Sequence, residues 1–513
     1  MVSKWMCVTA IVLATLGISA CVPAEEAPDV ASDRAPLCGG TKNCEDSEIG
    51  HTAQQAYVYG YPLMLMEYTK RALLQQPGGQ VNRFLHQHRR PDPSDTAVVR
   101  PNQDTLYSVA FLDLSDGPQI LDVPEVRDRY FLLQLLDGWS TSIAGSPGTA
   151  NTGTEAQSFA IVGPGYEGSV DGVSGTYHLD TNLVWILGRT RIKQGERDRV
   201  EVIRTQRGYC LRSLADFQNG DRSNCERSVS LSDVGEGLLG MLLPETPPPP
   251  EIVGNMAMGR FLMELATLMA DNPGYPADDA LLSRFENVLG FVVGKPYTPS
   301  LSVLAAIQPA REAALRSMRA HAVGGLGQQS AGWSLALRDI GEYGDDYLRR
   351  AAVALVGFGA NLPKDAIYPT SMADDRDQPL RGDQRYRLRF ADNKSPPVVA
   401  RFDGFWSVSL YDDIGFFIEN PEQRYVVHSW ELEPATDRDV DIYIGCDDRA
   451  AFDGDGLSGD DFWLPAATTD PIVLTLRMYA PGDAALPPEG GADDDLPAWT
   501  PPAIEWLGAC SAL

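Results

Sequence analysis

The run Pro244-Glu245-Thr246-Pro247-Pro248-Pro249-Pro250 sets the plan of this chain. Consecutive prolines fix φ near −65° and donate no backbone N–H, so no helix or sheet ladder passes through them. Before this break the pattern is β. Leu106–Leu114, Gln119–Val123, Arg129–Leu136, Gln157–Val162 and Thr181–Leu187 are short apolar runs, most of them separated by turn residues. Strands at that spacing suggest an antiparallel sandwich, followed by a charged helix near Glu196–Arg207. After the break, Met256–Met269, Ala280–Val288, Leu301–Ala322 and Ser334–Val356 read as helices with apolar faces. Beyond Asp383 the chain is β again, with strands expected at Tyr386–Phe390, Phe405–Tyr411, Arg424–His428, Val440–Gly445 and Ile472–Tyr479. Ser407, Ser409 and Asp441 alternate there with apolar neighbours, the pattern of a half-exposed sheet.

Ahead of all this, Ile49–Gln76 is helical in pattern. Tyr57, Gly60, Tyr61, Met64, Leu65 and Tyr68 fall on one stripe, with Gly60 and Pro62 expected to bend the helix. Tyr59 lies off the stripe and is expected to face a cleft. At 513 residues the chain has room for two or three domains. Apolar residues at 43% exclude a disordered chain. Lys plus Arg is 42 against 70 for Asp plus Glu, a net charge of −28 that argues against nucleic acid and against a basic membrane-surface patch.

The N-terminus reads as an export signal over residues 1–20. Lys4 precedes an apolar run, Val8–Ala20, that is too short to span a bilayer. It ends in Ile18-Ser19-Ala20-Cys21, which resembles a bacterial lipobox, so Cys21 is the expected lipid attachment point. Residues 21–45 read as a flexible, Pro- and acid-rich tether. No Asp follows Cys21 directly, which favours the outer membrane if the host has one. Six further cysteines suit an oxidising compartment. Spacing suggests Cys38–Cys44 and Cys210–Cys225, leaving Cys446–Cys510.

Two sets of blocks carry a family resemblance. The first is AYVYGYPLMLME, then FLHQHRRPDPSDTAVVRPNQDTLYSVAFLDLS, then RYFLLQLLDGWS. The second is RYRLRF, GFWSVSLYD, ENPEQRYVV, DFWLP, IVLTLRMYAP and WTPPAIEW. Together they resemble the paired domains of unknown function numbered 1254 and 1214, in that order. The resemblance implies a β-sandwich over residues 46–243, a helical insert over 244–379 and a jelly-roll-like sandwich over 380–513. The fold class expected is therefore mixed α and β, mainly β. The resemblance implies no activity.

Metalloprotease, Walker, dinucleotide and nucleophile-elbow motifs are missing, so no cofactor is expected. His86 and His88 put two imidazoles on one strand face, too few for a metal site beside Arg89 and Arg90. Asp453, Asp455, Asp460 and Asp461 read as a solvated acidic loop. The densest polar constellation is Arg100-Pro101-Asn102-Gln103-Asp104-Thr105-Leu106-Tyr107. A turn there should put Arg100, Asn102 and Asp104 at a strand mouth, and Asp137 and Trp139 end a later strand. If the two carboxylates converge, Asp104 and Asp137 suit acid–base catalysis. With Arg100, Asn102, Tyr107, Trp139 and Tyr59 they equally suit a small polar ligand, carbohydrate-like or carboxylate, and Arg424 is expected to line the same site. The function expected is thus a lipid-anchored envelope protein that binds such a ligand. The alternatives are a cofactor-independent hydrolase and a structural or assembly lipoprotein. Oligomeric state is left open.

Overall fold

The computed structural model describes residues 42–510 apart from 96–98, 194, 226–228, 231–246, 392–393, 432–438, 458–461, 467 and 493–494. Cys21 and Cys38 lie outside the described residues, as does the side chain of Cys44. Helix accounts for 29% and strand for 25%, in several mainly antiparallel sheets, none closed into a barrel.

The chain opens with helix α1 (Lys42–Leu74), which carries Pro62 inside it. The first sandwich follows. One sheet holds β1 (Leu85–His86), β2 (Thr105–Asp113), β4 (Phe131–Asp137), β7 (Leu183–Arg191) and β9 (Val229–Ser230), in the order β4-β7-β2-β1-β9. The second holds β3 (Gln119–Val123), β5 (Gln157–Val162), β6 (Gly175–His178) and β8 (Cys210–Ser213), in the order β6-β5-β3-β8. Helices α2 (Glu196–Gly208) and α3 (Leu214–Asn219) flank β8 in sequence. Alternate residues of β2, β4 and β7, among them Ala110, Leu112, Leu133, Leu135, Val184 and Ile186, meet Leu121, Phe159, Ile161 and Leu211 between the sheets.

The opposite faces of the same strands are covered too. Val109, Phe111, Leu136, Trp185 and Leu187 enter a second core with α1 and the helices α4 (Pro249–Gly254), α5 (Met258–Leu268), α6 (Asp279–Leu289), α7 (Leu301–Ile307), α8 (Ala310–Gly324) and α9 (Tyr347–Gly357). Burial on both faces explains why β7 begins as the continuous run LVWIL rather than an alternation. Helix α1 touches each of α4 to α9, and it is buried nearly all round from Ala56 to Met66. The single apolar stripe expected for it is therefore too narrow. Tyr59 is fully buried and faces no open cleft. α5 packs tightly on Gly60: a Cβ there would lie 2.3 Å from Leu265 Cδ2.

Two helix expectations change in detail. Leu301–Ala322 is two helices, α7 and α8, which meet at Pro309. Only the end of Ser334–Val356 is helical, because α9 starts after Asp346, whose side chain caps the N–H of Arg349. The earlier part forms strand β11 (Trp333–Leu335), paired with β10 (Gln328–Ser330).

These strands, with β12 (Ala366–Ile367) and β13 (Thr370–Ser371), belong to the last sandwich, so its sheet recruits residues ahead of 380. That sheet runs β10-β11-β13-β19-β15-β16, where β15 is Phe405–Asp412, β16 is Val426–His428 and β19 is Ile472–Tyr479; β12 pairs with β19. Its partner sheet runs β18-β17-β14-β20, built from β14 (Gln384–Phe390), β17 (Val440–Ile444), β18 (Phe462–Leu464) and β20 (Ile504–Ala509). Leu388, Trp406, Val408, Leu410, Ile442, Leu474 and Leu476 fill the space between. The alternation at Ser407 and Ser409 predicts a half-exposed face on β15. It is instead buried, with Ser407 at 0% and Ser409 at 1%, because the first sandwich docks against it.

Candidate functional site at the seam between the sandwiches

The segment Arg100–Asp104 joins the two sandwiches. Arg100 takes a left-handed φ of 56°, and its N–H donates to Gly415 O at 2.6 Å. Its Nη1 donates to Thr370 Oγ1 at 3.0 Å. Pro101 O accepts from Tyr411 Oη at 2.8 Å. Asn102 Oδ1 caps the N–H of Asp104 at 2.8 Å, the Asx turn that its position suggested. Its Nδ2 lies 3.1 Å from Tyr107 Oη and 3.0 Å from Tyr479 Oη, one on each sandwich.

Asp104 is fully buried. Ser407 Oγ donates to its Oδ2 at 2.8 Å, His428 Nε2 stands 3.2 Å from Oδ1, and Arg477 Nε stands 4.0 Å from Oδ2. His428 Nδ1 meets Glu431 Oε1 at 2.8 Å, and Arg424 Nη2 donates to Glu431 Oε2 at 2.7 Å. An Arg424–Glu431–His428–Asp104 chain of alternating charge therefore crosses the seam. Burial by itself would raise the Asp104 pKa, but the hydrogen bond and charge of His428, with Arg477 and Ser407, outweigh it and hold the carboxyl below its usual range. Burial would likewise lower His428, and its two carboxylate partners outweigh that and raise it.

Beside this chain lies a junction of three bodies. β2, β7 and β4 turn Tyr107, Arg189 and Gln134 to the face that α9 covers at one end and the last sandwich at the other. Cross-strand register sets Tyr107 opposite Arg189. The Arg189 guanidinium lies 5.4 Å from the Tyr107 ring centroid, and that of Arg477 lies 5.8 Å from the Tyr368 ring. The Tyr368 and Tyr479 rings are 6.4 Å apart. Burial pushes the Tyr368 hydroxyl up to about 12. Arg189 donates to Gln134 Oε1 at 2.6 Å and has no carboxylate partner among the described residues. Arg189 Nε, Arg477 Nε, Ser409 Oγ and Thr475 Oγ1 are buried without a hydrogen-bond partner, and Ser409 pairs with Thr475 across β15 and β19. Tyr107 and Tyr368 keep part of their surface accessible amid otherwise buried strands.

Asp137 is not here. Thr105, next to Asp104, pairs with Arg191 of β7, whereas Asp137 pairs with Val184 at the other end. Seven residues of strand separate those levels, about 23 Å. The expected convergence of the two carboxylates therefore fails, because β2 and β4 run parallel to each other on either side of β7. Asp137, Trp139 and Tyr59 form a separate cluster around Arg350. The Arg350 guanidinium sits 5.1 Å from the Trp139 ring, 5.3 Å from Tyr347, 5.4 Å from Tyr59 and 5.9 Å from Tyr275. Tyr275 Oη donates to Asp137, and Tyr59 Oη donates to Asp278 at 2.9 Å. Burial raises the Asp137 carboxyl to about 6 against hydrogen bonds from Tyr275 and Thr141 and the charge of Arg350.

Of the residues singled out in sequence, Arg100, Asn102, Asp104, Tyr107 and Arg424 belong to the seam. Arg189, Tyr368, Ser407, His428, Glu431, Arg477 and Tyr479 were missed. A signal existed for two of them: Arg189 and Arg477 are charges inside otherwise apolar strands, a position that requires a partner.

Cys210–Cys225 and Cys446–Cys510 are disulfides. Asp122 approaches the first pair, but its carboxylate is taken by Arg212 and Arg222 and the sulfurs by each other, so this grouping is no metal centre. His86 bonds Ser108 Oγ at 2.9 Å, and burial lowers its pKa to about 3. Among the described residues no helix is long and apolar enough to cross a membrane.

Fold and seam define a class: two β-sandwiches, bridged by a helical layer, that share a buried polar interface. Residues 81–213 match the family model described as protein of unknown function DUF1254, and residues 365–483 match that of DUF1214. The chain thus carries a DUF1254 match followed by a DUF1214 match, in that N- to C-terminal order. The crystal structure of the VPA0106 protein from Vibrio parahaemolyticus is similar in fold, at 20% identity and a TM-score of 0.61, over 90% of this chain and 100% of that one. An uncharacterised protein from Burkholderia cenocepacia aligns at 12% identity and a TM-score of 0.37, over 92% of this chain and 95% of that one. No curated protein matches.

Proposed function

We propose that this protein is a lipid-anchored component of the cell envelope that binds a small polar ligand at the seam. The observation that carries the ligand reading is the meeting of Tyr107, Tyr368 and Tyr479 with Arg189 and Arg477, where buried polar atoms lack partners and two of the rings keep accessible surface. Buried donors left unpaired are costly, and a ligand that accepts from them removes the penalty. The acid–base pair of Asp104 and Asp137 has no support in the geometry. The Ile18-Ser19-Ala20-Cys21 sequence supports export and acylation at Cys21, and the two disulfides support export.

A thermal-shift screen of the purified protein against sugars, organic acids and other small polar compounds tests the ligand reading, with Tyr107→Phe in parallel. The expected result is a saturable rise in Tm that weakens in the variant. A folded protein that responds to no compound in the panel overturns it. Mass spectrometry of the N-terminus tests the anchor: a diacylated or triacylated Cys21 is expected, and a free N-terminus at Val22 or beyond overturns it.

A further inference from the structure

We infer that the seam ligand is a small organic acid, held through its carboxylate; this rests on the ligand reading above. The argument is a count of donors and acceptors. A sugar hydroxyl both donates and accepts, so a sugar site needs spare acceptors as well as donors. Asp104, the carboxylate of the first sandwich at the seam, already accepts from Ser407 and stands against His428 and Arg477. Glu431 is taken by Arg424 and His428.

Among the seam atoms left without a hydrogen bond the guanidinium nitrogens only donate, the two hydroxyls donate and accept, and the one pure acceptor, Asp104 Oδ1, stands 3.2 Å from His428 Nε2. Arg189 Nε and Arg477 Nε have no hydrogen-bond partner, and neither do the Ser409 and Thr475 hydroxyls. Charge points the same way. Arg189 has no carboxylate partner among the described residues, and Arg100 has only the Thr370 hydroxyl and lies electrostatically beside Arg477. Arg189 and Arg477 both act electrostatically on Tyr368, and Asp104 stands only near Arg477, so the forked donors outnumber the carboxylate beside them and match an acceptor-only anion. A phosphate group offers the same acceptors, but a dianion beside the buried Asp104 carboxylate meets about twice the repulsion of a monoanion. The part-accessible Tyr107 and Tyr368 rings suit a compact organic body behind the carboxylate.

The test is isothermal titration of the purified protein at low salt with lactate, benzoate, glucose and inorganic phosphate. Tyr107→Phe and Arg189→Lys are measured alongside, with circular dichroism to confirm folding. Binding of lactate or benzoate, weakened at least ten-fold by Arg189→Lys and further by added salt, is expected. If glucose binds and neither acid does, the seam is a ligand site but the carboxylate assignment falls. Phosphate binding more tightly than both acids overturns the assignment in favour of a phosphate group. If no arm binds, and the wider screen is also silent, the ligand reading falls with it.

Discussion

Asp104 of the first sandwich and His428 of the last meet at 3.2 Å, Oδ1 to Nε2, with at most 3% of either side chain exposed. The contact exists only when the two sandwiches are docked. It puts a charge pair in a place where neither member can be hydrated alone.

Asp104→Asn should therefore destabilise the protein strongly. It leaves His428 and Arg477 as buried cations short of a counter-charge, a loss of about 3 kcal/mol or more. Ser407→Ala removes one neutral donor and should cost about 1 kcal/mol. Urea unfolding of the two variants at pH 6 checks the ranking; equal losses would mean that Asp104 is not ionised in the fold.

The seam should have a pH window. Asp104 and Glu431 are held below their ordinary values, so their stabilisation is present above about pH 4.5 and lost as pH falls through the lower folded values. His428 is held above 6.5, so its share is complete below that value and lost as pH rises through the raised one. Unfolding free energy measured from pH 4 to 9 should fall on the alkaline side. His428→Gln should flatten that fall.

Asp137 acts with the opposite sign for an acid. Its folded value of about 6 stands above the ordinary 3.8, so the fold binds this proton more tightly than the unfolded chain. Its contribution is complete below pH 3.8 and is lost as pH rises to about 6, by about 3 kcal/mol at 1.4 kcal/mol per unit. Asp137→Asn should abolish that slope, compared by unfolding at pH 4.5 and 7.

Gly60→Ala should destabilise although alanine favours helix. The new methyl would lie 2.3 Å from Leu265 Cδ2 in a filled core, an overpacking penalty of about 1–3 kcal/mol. Adding Leu265→Ala should relieve the clash, so the double variant should be less destabilised than the two single losses added together. Simple additivity in a double-mutant cycle would show that the two helices separate instead.

The disulfides should contribute unequally. Cys446–Cys510 closes a separation of 64 residues and Cys210–Cys225 one of 15, which correspond to about 4 and about 3 kcal/mol in the chain-entropy picture. Unfolding of Cys446→Ser/Cys510→Ser and of Cys210→Ser/Cys225→Ser should rank in that order.

Local pattern was enough for most elements. Gln119–Val123, Gln157–Val162 and Ile472–Tyr479 match their strands end to end, because turn residues bracket each apolar run. It failed at Trp333–Leu335, which lies in a glycine-rich stretch where a three-residue strand carries no readable period. Cys210–Cys225 followed from short spacing and Cys446–Cys510 from what was left over. At the site, RPNQDTLY was legible because Asn102 and Asp104 are turn formers in an unusually polar run, whereas Ser407 and His428 looked like ordinary strand positions.

Sequence alone determined the order β, helical, β and the strand faces, because each is written in neighbouring residues and their period. It could not say what covers a face. Ser407, Ser409 and Thr475 read the same beside water as beside another domain, and docking alone buried them. The placement of Asp104 with His428, and of Asp137 at a level about 23 Å farther along β7, was decided by sheet register and docking. Those are non-local pairings: a buried charge demands a partner, but its own sequence does not say which one.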